Sequence, residues 1–237
     1  MDMKAFFTLH RDLPREGPGT PEDVAWAAQH AGLASNARIA DVGCGPGSDI
    51  AAWLAVLPQG HVTALDTTAH YIAAARAIWA DDPRVTMLQA DMARIHNKHD
   101  LIWSAGSAYF LGITKALKNW RKTLTSGGMV AFSEPCWLTL DPSDEARQNW
   151  QDYPAMSDAA GIATRIAAAG YEVIATRQLS DAAWEAYYTP LEARISMLRP
   201  TADAALTEVL DAAEAEIACW RSHRDEFGYL LSLARPK

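Results

Sequence analysis

The stretch Arg38-Ile39-Ala40-Asp41-Val42-Gly43-Cys44-Gly45-Pro46-Gly47 constrains this chain more than any other, and it runs straight into the apolar positions Ile50, Trp53, Leu54 and Leu57. It reads as a short buried strand, a glycine turn and the start of a helix. Glycines this dense cost backbone entropy that an ordinary turn has no need to spend. They fit a place where backbone approaches a ligand closely and amide N–H groups gather at a helix N-terminus. The competing reading is a tight strand-to-helix turn of any α/β domain.

Beyond this turn, strand-like and helix-like stretches alternate. Strands are expected at Ile39–Val42, Val62–Leu65 (ending at Asp66), Val85–Gln89, Asp100–Ser104 and Met129–Ser133. Helices are expected at Asp49–Leu57, from Thr67 or Thr68 to Trp79, and at Thr114–Leu124, with Leu117, Trp120 and Leu124 inward. Such alternation implies parallel β-α units with right-handed crossovers. Ligands bind beyond the carboxyl ends of the strands in such sheets, where Gly43, Asp66, Asp91 and Ser104 all fall. Ahead of the sheet, Thr20 resembles an N-cap, with Pro21 at the first helical position and Asp23 as the capping-box acid. That predicts a helix over Pro21–Ala31 burying Val24 and Ala28. Later come a helix over Ser157–Ala169 with Gly170 as its C-cap, a strand over Tyr171–Gln178 and helices over 182–198 and 202–225. Phe227–Ala234 reads as a closing strand at a sheet edge. Residues 1–20 are read as a leader that folds over something, the alternative being disorder, and 181–225 as a helical insertion capping the sheet. A single domain over 1–237 accommodates all of this.

Asp66 ends the second strand, where a carboxylate can accept two hydrogen bonds from a ribose diol. Its plainer reading is a helix cap. The glycine spacing decides the ligand class. A dinucleotide site carries Gly-x-Gly-x-x-Gly, whereas this turn is Gly43-x-Gly45-x-Gly47 with Asp41 just before it. A carboxylate there would repel a pyrophosphate and attract an amine or sulfonium. No Gly-Lys-Ser/Thr follows, which removes a P-loop.

These residues resemble those of class I S-adenosylmethionine-dependent methyltransferases of the type 11/25 kind. IADVGCGPG is similar to that family's first motif, ALD with Asp66 to its second, and Gln89-Ala90-Asp91 to its adenine-side motif. The likeness covers about residues 37–135. The leader HRDLPREGPG and the later AYYTPLEARI resemble a bacterial small-molecule subset. The resemblance implies an α/β, Rossmann-like fold with a seven-stranded, mostly parallel sheet, an antiparallel last strand and a helical cap. It further implies S-adenosyl-L-methionine as methyl donor. Asp41, Gly43, Cys44, Gly45 and Gly47 would line it, Asp66 would hold the ribose and Asp91 the adenine amine. Thr67, Ala90 and Met92 would flank the adenine, with Ser104 at the methionine end. Nucleic-acid amino-methylases of this class carry an Asn/Asp-Pro-Pro-aromatic motif after strand four. Here Ser104-Ala105-Gly106-Ser107 stands in that place.

Composition narrows the partners. The formal charge is −8 from 21 basic and 29 acidic residues, and no basic patch stands out, which disfavours nucleic acid. The three cysteines are widely spaced and odd in number, without a disulfide or zinc pattern. His96 and His99 are better read as solvated than as metal ligands, and no metal is expected. MDMKAFFTLHRD lacks an apolar signal-peptide core, and no run approaches a membrane span. A cytoplasmic monomer or homodimer is expected.

Methyl transfer from a sulfonium relies on alignment, with a base needed only for a protonated amine or a hydroxyl. Candidate catalytic residues are His10 (a side-chain type that titrates near neutrality), Asp12, Glu134 and Tyr188, with Tyr109, Glu185 and Tyr187 beside them. The aromatics between 137 and 188 either line an acceptor pocket or pack the core. The expected reaction is methyl transfer to the O, N or C of a small molecule. The rivals are a protein or RNA methylase, which predicts an open charged groove, and a non-catalytic cofactor-binding regulator. An NAD-dependent oxidoreductase is more distant.

Overall fold

A computed structural model describes residues 2–237. Five parallel strands form the first half of the sheet: β1 (Arg38–Val42), β2 (His61–Asp66), β3 (Val85–Gln89), β4 (His99–Ser104) and β5 (Leu124–Trp137). The helices between them are α3 (Ile50–Val56), α4 (Ala69–Trp79) and α5 (Ile113–Trp120). Two N-terminal helices, α1 (Met3–Leu9) and α2 (Pro21–Ala31), precede β1. After β5 come α6 (Asp144–Asn149), the two-residue β6 (Ser157–Asp158), α7 (Ala159–Ala168) and β7 (Tyr171–Gln178). The chain ends with α8 (Asp181–Leu198), α9 (Ala204–His223) and β8 (Phe227–Pro236). The main sheet order is β3-β2-β1-β4-β5-β8-β7, with β8 antiparallel to both neighbours and β6 adding to the end of β5. The Rossmann-like sheet with an antiparallel last strand is therefore present.

Each face of the sheet carries its own core. Ile39, Val62, Trp53 and Ile72 pack on one side with α8 and α9, while Val42, Ile102, Leu117, Trp120 and Ile166 pack on the other. No helix among the described residues is long and apolar enough to cross a membrane.

Local expectations hold with small shifts. The capping box forms at α2, where the Thr20 amide donates to Asp23 Oδ2 at 2.9 Å. That helix buries Val24 as expected, with Ala27, expected beside Ala28, the more buried of the two. Leu124 opens β5 and does not end a helix, because α5 gives way to a 3-10 turn at Arg121. Ser157 and Asp158 pair with Cys136 and Trp137 as a short strand, and Asp158 then caps α7 by accepting the Gly161 amide at 2.8 Å. The larger correction concerns β8. It lies between β5 and β7, and its residues Phe227 to Ala234 are all buried. A run buried at every position and apolar except for Ser232 is the pattern of an interior strand, covered on both faces.

The leader is ordered and tied down from two sides. Ser48 Oγ donates to the Pro14 carbonyl at 2.8 Å, fixing it to the glycine turn. Arg194 on α8 donates to the Thr8 carbonyl at 3.1 Å, and the Gly19 amide donates to the Ala183 carbonyl at 3.1 Å.

The glycine turn is also a packing device. Gly47 has φ +85°, and a Cβ there would stand 2.8 Å from Ile50 Cδ1 and 3.3 Å from Ala75 Cβ. Gly47→Ala is expected to cost about 1–3 kcal/mol, from the left-handed backbone and the crowding together. A denaturant titration checks it, with Gly17→Ala as a control, since nothing lies within 4 Å of that Cβ. Equal midpoints for the two variants would remove this account.

Candidate active site

The carboxyl ends of the strands open into a cavity of about 840 Å³. Its floor is the glycine turn, the end of β2 (Asp66, Thr67, Thr68) and Ala90, Asp91 and Met92 after β3. Phe6, Phe7 and His10 of α1 and the loop from Arg15 to Pro18 roof it. The far wall is Tyr109, Trp150, Trp184, Tyr187, Leu191, Glu216 and Tyr229.

The turn keeps its amides for itself. Gly43 and Cys44 N–H donate to the Leu65 carbonyl at 2.8 and 3.0 Å. Gly45 N–H donates to Asp66 Oδ2 at 3.1 Å, and Gly47 N–H to the Cys44 carbonyl at 3.0 Å. The expected array of amides facing a ligand is therefore absent at these positions. Gly43 has φ +70°, and its missing side chain leaves room for Ser107, whose Oγ would lie 2.5 Å from an added Cβ. That hydroxyl donates to the Val42 carbonyl at 2.8 Å.

Carboxylates dominate the lining. Asp41, Asp49, Asp66, Asp91, Glu16 and Glu216 face Arg15 and His10 across the same space. Asp66 Oδ1 accepts the Thr68 amide at 2.8 Å, so each of its oxygens holds one backbone donor and keeps a further lone pair. Asp49 Oδ2 accepts from Trp103 Nε1 at 2.8 Å, and its Oδ1 meets Arg15 at 3.5 Å. Burial, then the charges of Asp49 and Asp66, holds the Asp41 carboxyl well above its usual range, with Arg15 opposing. Burial also pushes the Cys44 thiol up, so it behaves as an inert wall.

The expected cofactor residues Asp41, Gly43, Cys44, Gly45, Asp66, Thr67, Ala90, Asp91 and Met92 are all brought to the cavity. Gly47 and Ser104 lie behind its wall, Ser104 fully buried with its Oγ 2.7 Å from Ser107 Oγ. Of the catalytic candidates, His10 lines the cavity, its Nδ1 2.6 Å from Glu16 Oε2 and its ring stacked on Phe6. Asp12 is exposed in a left-handed turn away from it. Tyr188 is buried one layer back and donates to Glu216 Oε1 at 3.0 Å. Glu134 is also one layer back, accepting from the Tyr153 hydroxyl while its Oε2 has no partner. Tyr109 and Tyr187 are lining residues; Glu185 pairs with Arg221 elsewhere.

Arg15, Glu16, Asp49 and Glu216 escaped the sequence reading. Glu216 had a signal, since it stands three residues after Ala213 and four before Trp220, positions that neighbour one another on a helix. An acid inside an apolar stripe marks a lined cavity.

Residues 39–128 match the methyltransferase domain family. The chain is 35% identical over 120 residues to the malonyl-[acyl-carrier protein] O-methyltransferase of Enterobacter lignolyticus, covering 48% of this chain and 44% of that protein. It is 28% identical over 169 residues to the trans-aconitate 2-methyltransferase of Paracidovorax citrulli, covering 66% of this chain and 63% of that one. The solved S-adenosylmethionine-dependent methyltransferase of Geobacter sulfurreducens, in complex with S-adenosyl-L-homocysteine, superimposes with a TM-score of 0.83 at 18% identity. That superposition covers 99% of this chain and 98% of the other. Residues 39–128 thus match a methyltransferase domain, and the chain as a whole shares its fold with a solved S-adenosylmethionine-dependent methyltransferase. The matches to the two curated relatives span about half to two thirds of their length. The matched residues 39–128 include the glycine turn that Asp66 ties, whereas the leader, α8 and α9 lie outside them.

Glu134 yields a test by pH. Burial pushes its carboxyl from the usual 4.5 up to about 7, against the Tyr153 hydrogen bond. The folded state thus holds a proton that the unfolded chain releases. This contribution to stability is full below about pH 4.5 and is lost as pH rises through about 7. Between about pH 5.5 and about pH 8.5 it amounts to about 2 kcal/mol, at ~1.4 kcal/mol per decade. Denaturant melts at the two pH values are expected to separate less for Glu134→Gln than for the parent. Equal separations would refute the assignment.

Proposed function

We propose that this protein transfers the methyl group of S-adenosyl-L-methionine to a small-molecule nucleophile. The observation that carries the reading is the chemistry of the cavity floor. A nucleotide phosphate would find no free amides on the glycine turn and would face Asp41, Asp49 and Asp66. A sulfonium nucleoside finds a negative floor and a carboxylate at the end of β2 with lone pairs to spare for a ribose diol. Asp66 would hold the ribose, Asp91 the adenine amine, Thr67, Ala90 and Met92 the adenine faces, and Asp41 with the turn the methionine end. The bound donor supplies an activated methyl carbon; the protein supplies alignment.

The leader and the α8–α9 layer would act as a lid and cap that keep water from the reacting atoms. At about 840 Å³ the cavity is roomy for one nucleoside alone and continues into the aromatic far wall, which favours turnover over a scaffold role. Its acidic lining and roof disfavour RNA, whose backbone seeks Lys and Arg. We place the protein in the cytoplasm, as a monomer or homodimer.

Calorimetry with S-adenosylhomocysteine tests the floor. Asp66→Ala is expected to weaken binding at least about tenfold, or ~1.4 kcal/mol, and NADH is expected not to bind. Unchanged affinity in the variant would remove Asp66 from the site, and NADH binding would replace the reading altogether.

A further inference from the structure

The far wall of the cavity carries a carboxylate with no cation paired to it among the described residues. Glu216 Oε1 accepts from the Tyr188 hydroxyl at 3.0 Å, which leaves its charge uncompensated. Asp211 and Glu214, on the same helix, both pair with Arg199. Arg221 is taken by Glu185 and Glu192, and Arg15 by Asp49 and the Gly17 carbonyl. The imidazole of His10 lines the same cavity and is itself hydrogen-bonded to Glu16. Glu216 keeps solvent-accessible surface and lines the cavity, while the protein packed around it pushes its carboxyl above the usual range. Its charge reaches Tyr109, Tyr187 and Tyr229, all of which line the same space.

Aromatic rings complete the wall. The Trp184 and Tyr229 ring centroids lie 5.4 Å apart and those of Trp150 and Tyr229 6.4 Å apart, both pairs edge to face, and all three residues line the cavity. A ring face attracts a cation, and more strongly where water is excluded. An anionic acceptor would meet Glu216 without a counter-charge, and an uncharged one would leave that carboxylate unpaired.

We propose that the methyl acceptor is an amine presented as its alkylammonium ion, seated between Glu216 and the rings of Trp184, Tyr187 and Tyr229. This rests on the methyl-transfer reading and assigns its substrate class. For a primary, secondary or tertiary amine the ammonium first gives one proton to Glu216, from which it passes to solvent. The freed nitrogen lone pair forms the new C–N bond to the methyl carbon of the sulfonium donor, while the C–S electron pair returns to sulfur. The products are the N-methylated ammonium ion, the neutral thioether and one released proton, so two positive charges enter and two leave.

The test is calorimetry on the full chain saturated with S-adenosylhomocysteine, using probes that share a skeleton and differ in charge. One set is choline, 3,3-dimethylbutan-1-ol and 3,3-dimethylbutanoate; the other is 2-phenylethylamine, 2-phenylethanol and phenylacetate. In at least one set the ammonium member is expected to bind about tenfold tighter than its neutral and anionic partners. Glu216→Gln is expected to erase that margin, and Glu214→Gln, an exposed change on the same helix, to keep it. Ammonium probes that never outbind their partners, or a margin that survives Glu216→Gln, would overturn the proposal. Titration with S-adenosylhomocysteine alone on the same samples keeps the two readings apart. Failure there removes the methyl-transfer reading, whereas normal binding there with no ammonium preference removes only the amine.

Discussion

The carboxylate of Asp66 accepts one amide from Gly45 and one from Thr68, and these two bonds hold the glycine turn and the start of α4 at a single point. With Gly43 and Cys44 also donating to the Leu65 carbonyl, the turn folds its donors back onto β2. What it shows the cavity is therefore shape and negative charge, not an anion nest. Two of the glycines act here as packing elements. Gly43 makes room for Ser107, and Gly47 makes room for Ile50 and Ala75. The electrostatic sign of the site follows from that inward turn.

A second layer depends on the first. Arg15 reaches Asp49 and Ser48 holds Pro14, so the leader is anchored on the glycine turn itself. From there α1 lies against α8 and α9, and the Thr8 carbonyl takes the Arg194 guanidinium. The roof of the cavity is thus fastened to both the floor and the far wall. Asp49 joins three parts of the chain, since it also accepts from the buried Trp103 of β4. A disturbance at that carboxylate is felt by the leader, the turn and the sheet together.

The parts legible in the sequence are those fixed by local chemistry. The capping box at Thr20 and Asp23, the strand ends at Asp66 and Gln89, and the left-handed glycines each follow from a few neighbouring residues. Positions fixed by pairing across the fold were harder. An apolar run such as Phe227–Ala234 states that it is buried on both faces, but an edge placement was assigned because the run closes the chain. Glu134 at the end of the fifth strand and Tyr188 in the helical cap are candidates by their place in the chain order. In the fold each sits one side chain behind the wall, facing Tyr153 and Glu216 respectively. Glu216 itself was hidden among the other acids of α9, and only its spacing to Ala213 and Trp220 sets it apart.

The aromatics between 137 and 188 illustrate why packing and binding are hard to separate. Trp184 stacks on Trp220 at 5.1 Å, which is core, and also lines the cavity, which is site. Both roles follow from one geometry, because a ring held rigidly from behind offers a fixed face in front. The carboxylates obey similar logic with the opposite energetic sign. Asp41, Asp49 and Asp66 crowd one another with Arg15 as the cation beside them, and burial raises Asp41 further. A fold that tolerates such unfavourable charge is stabilised by binding a cation, whose attraction to each carboxylate offsets their mutual repulsion. The cost is met by packing remote from the cavity, in the two cores on either side of the sheet. In the proposed reaction a neutral thioether replaces the sulfonium and that attraction at the floor is lost, so the carboxylates that favour the donor would hold its product less tightly.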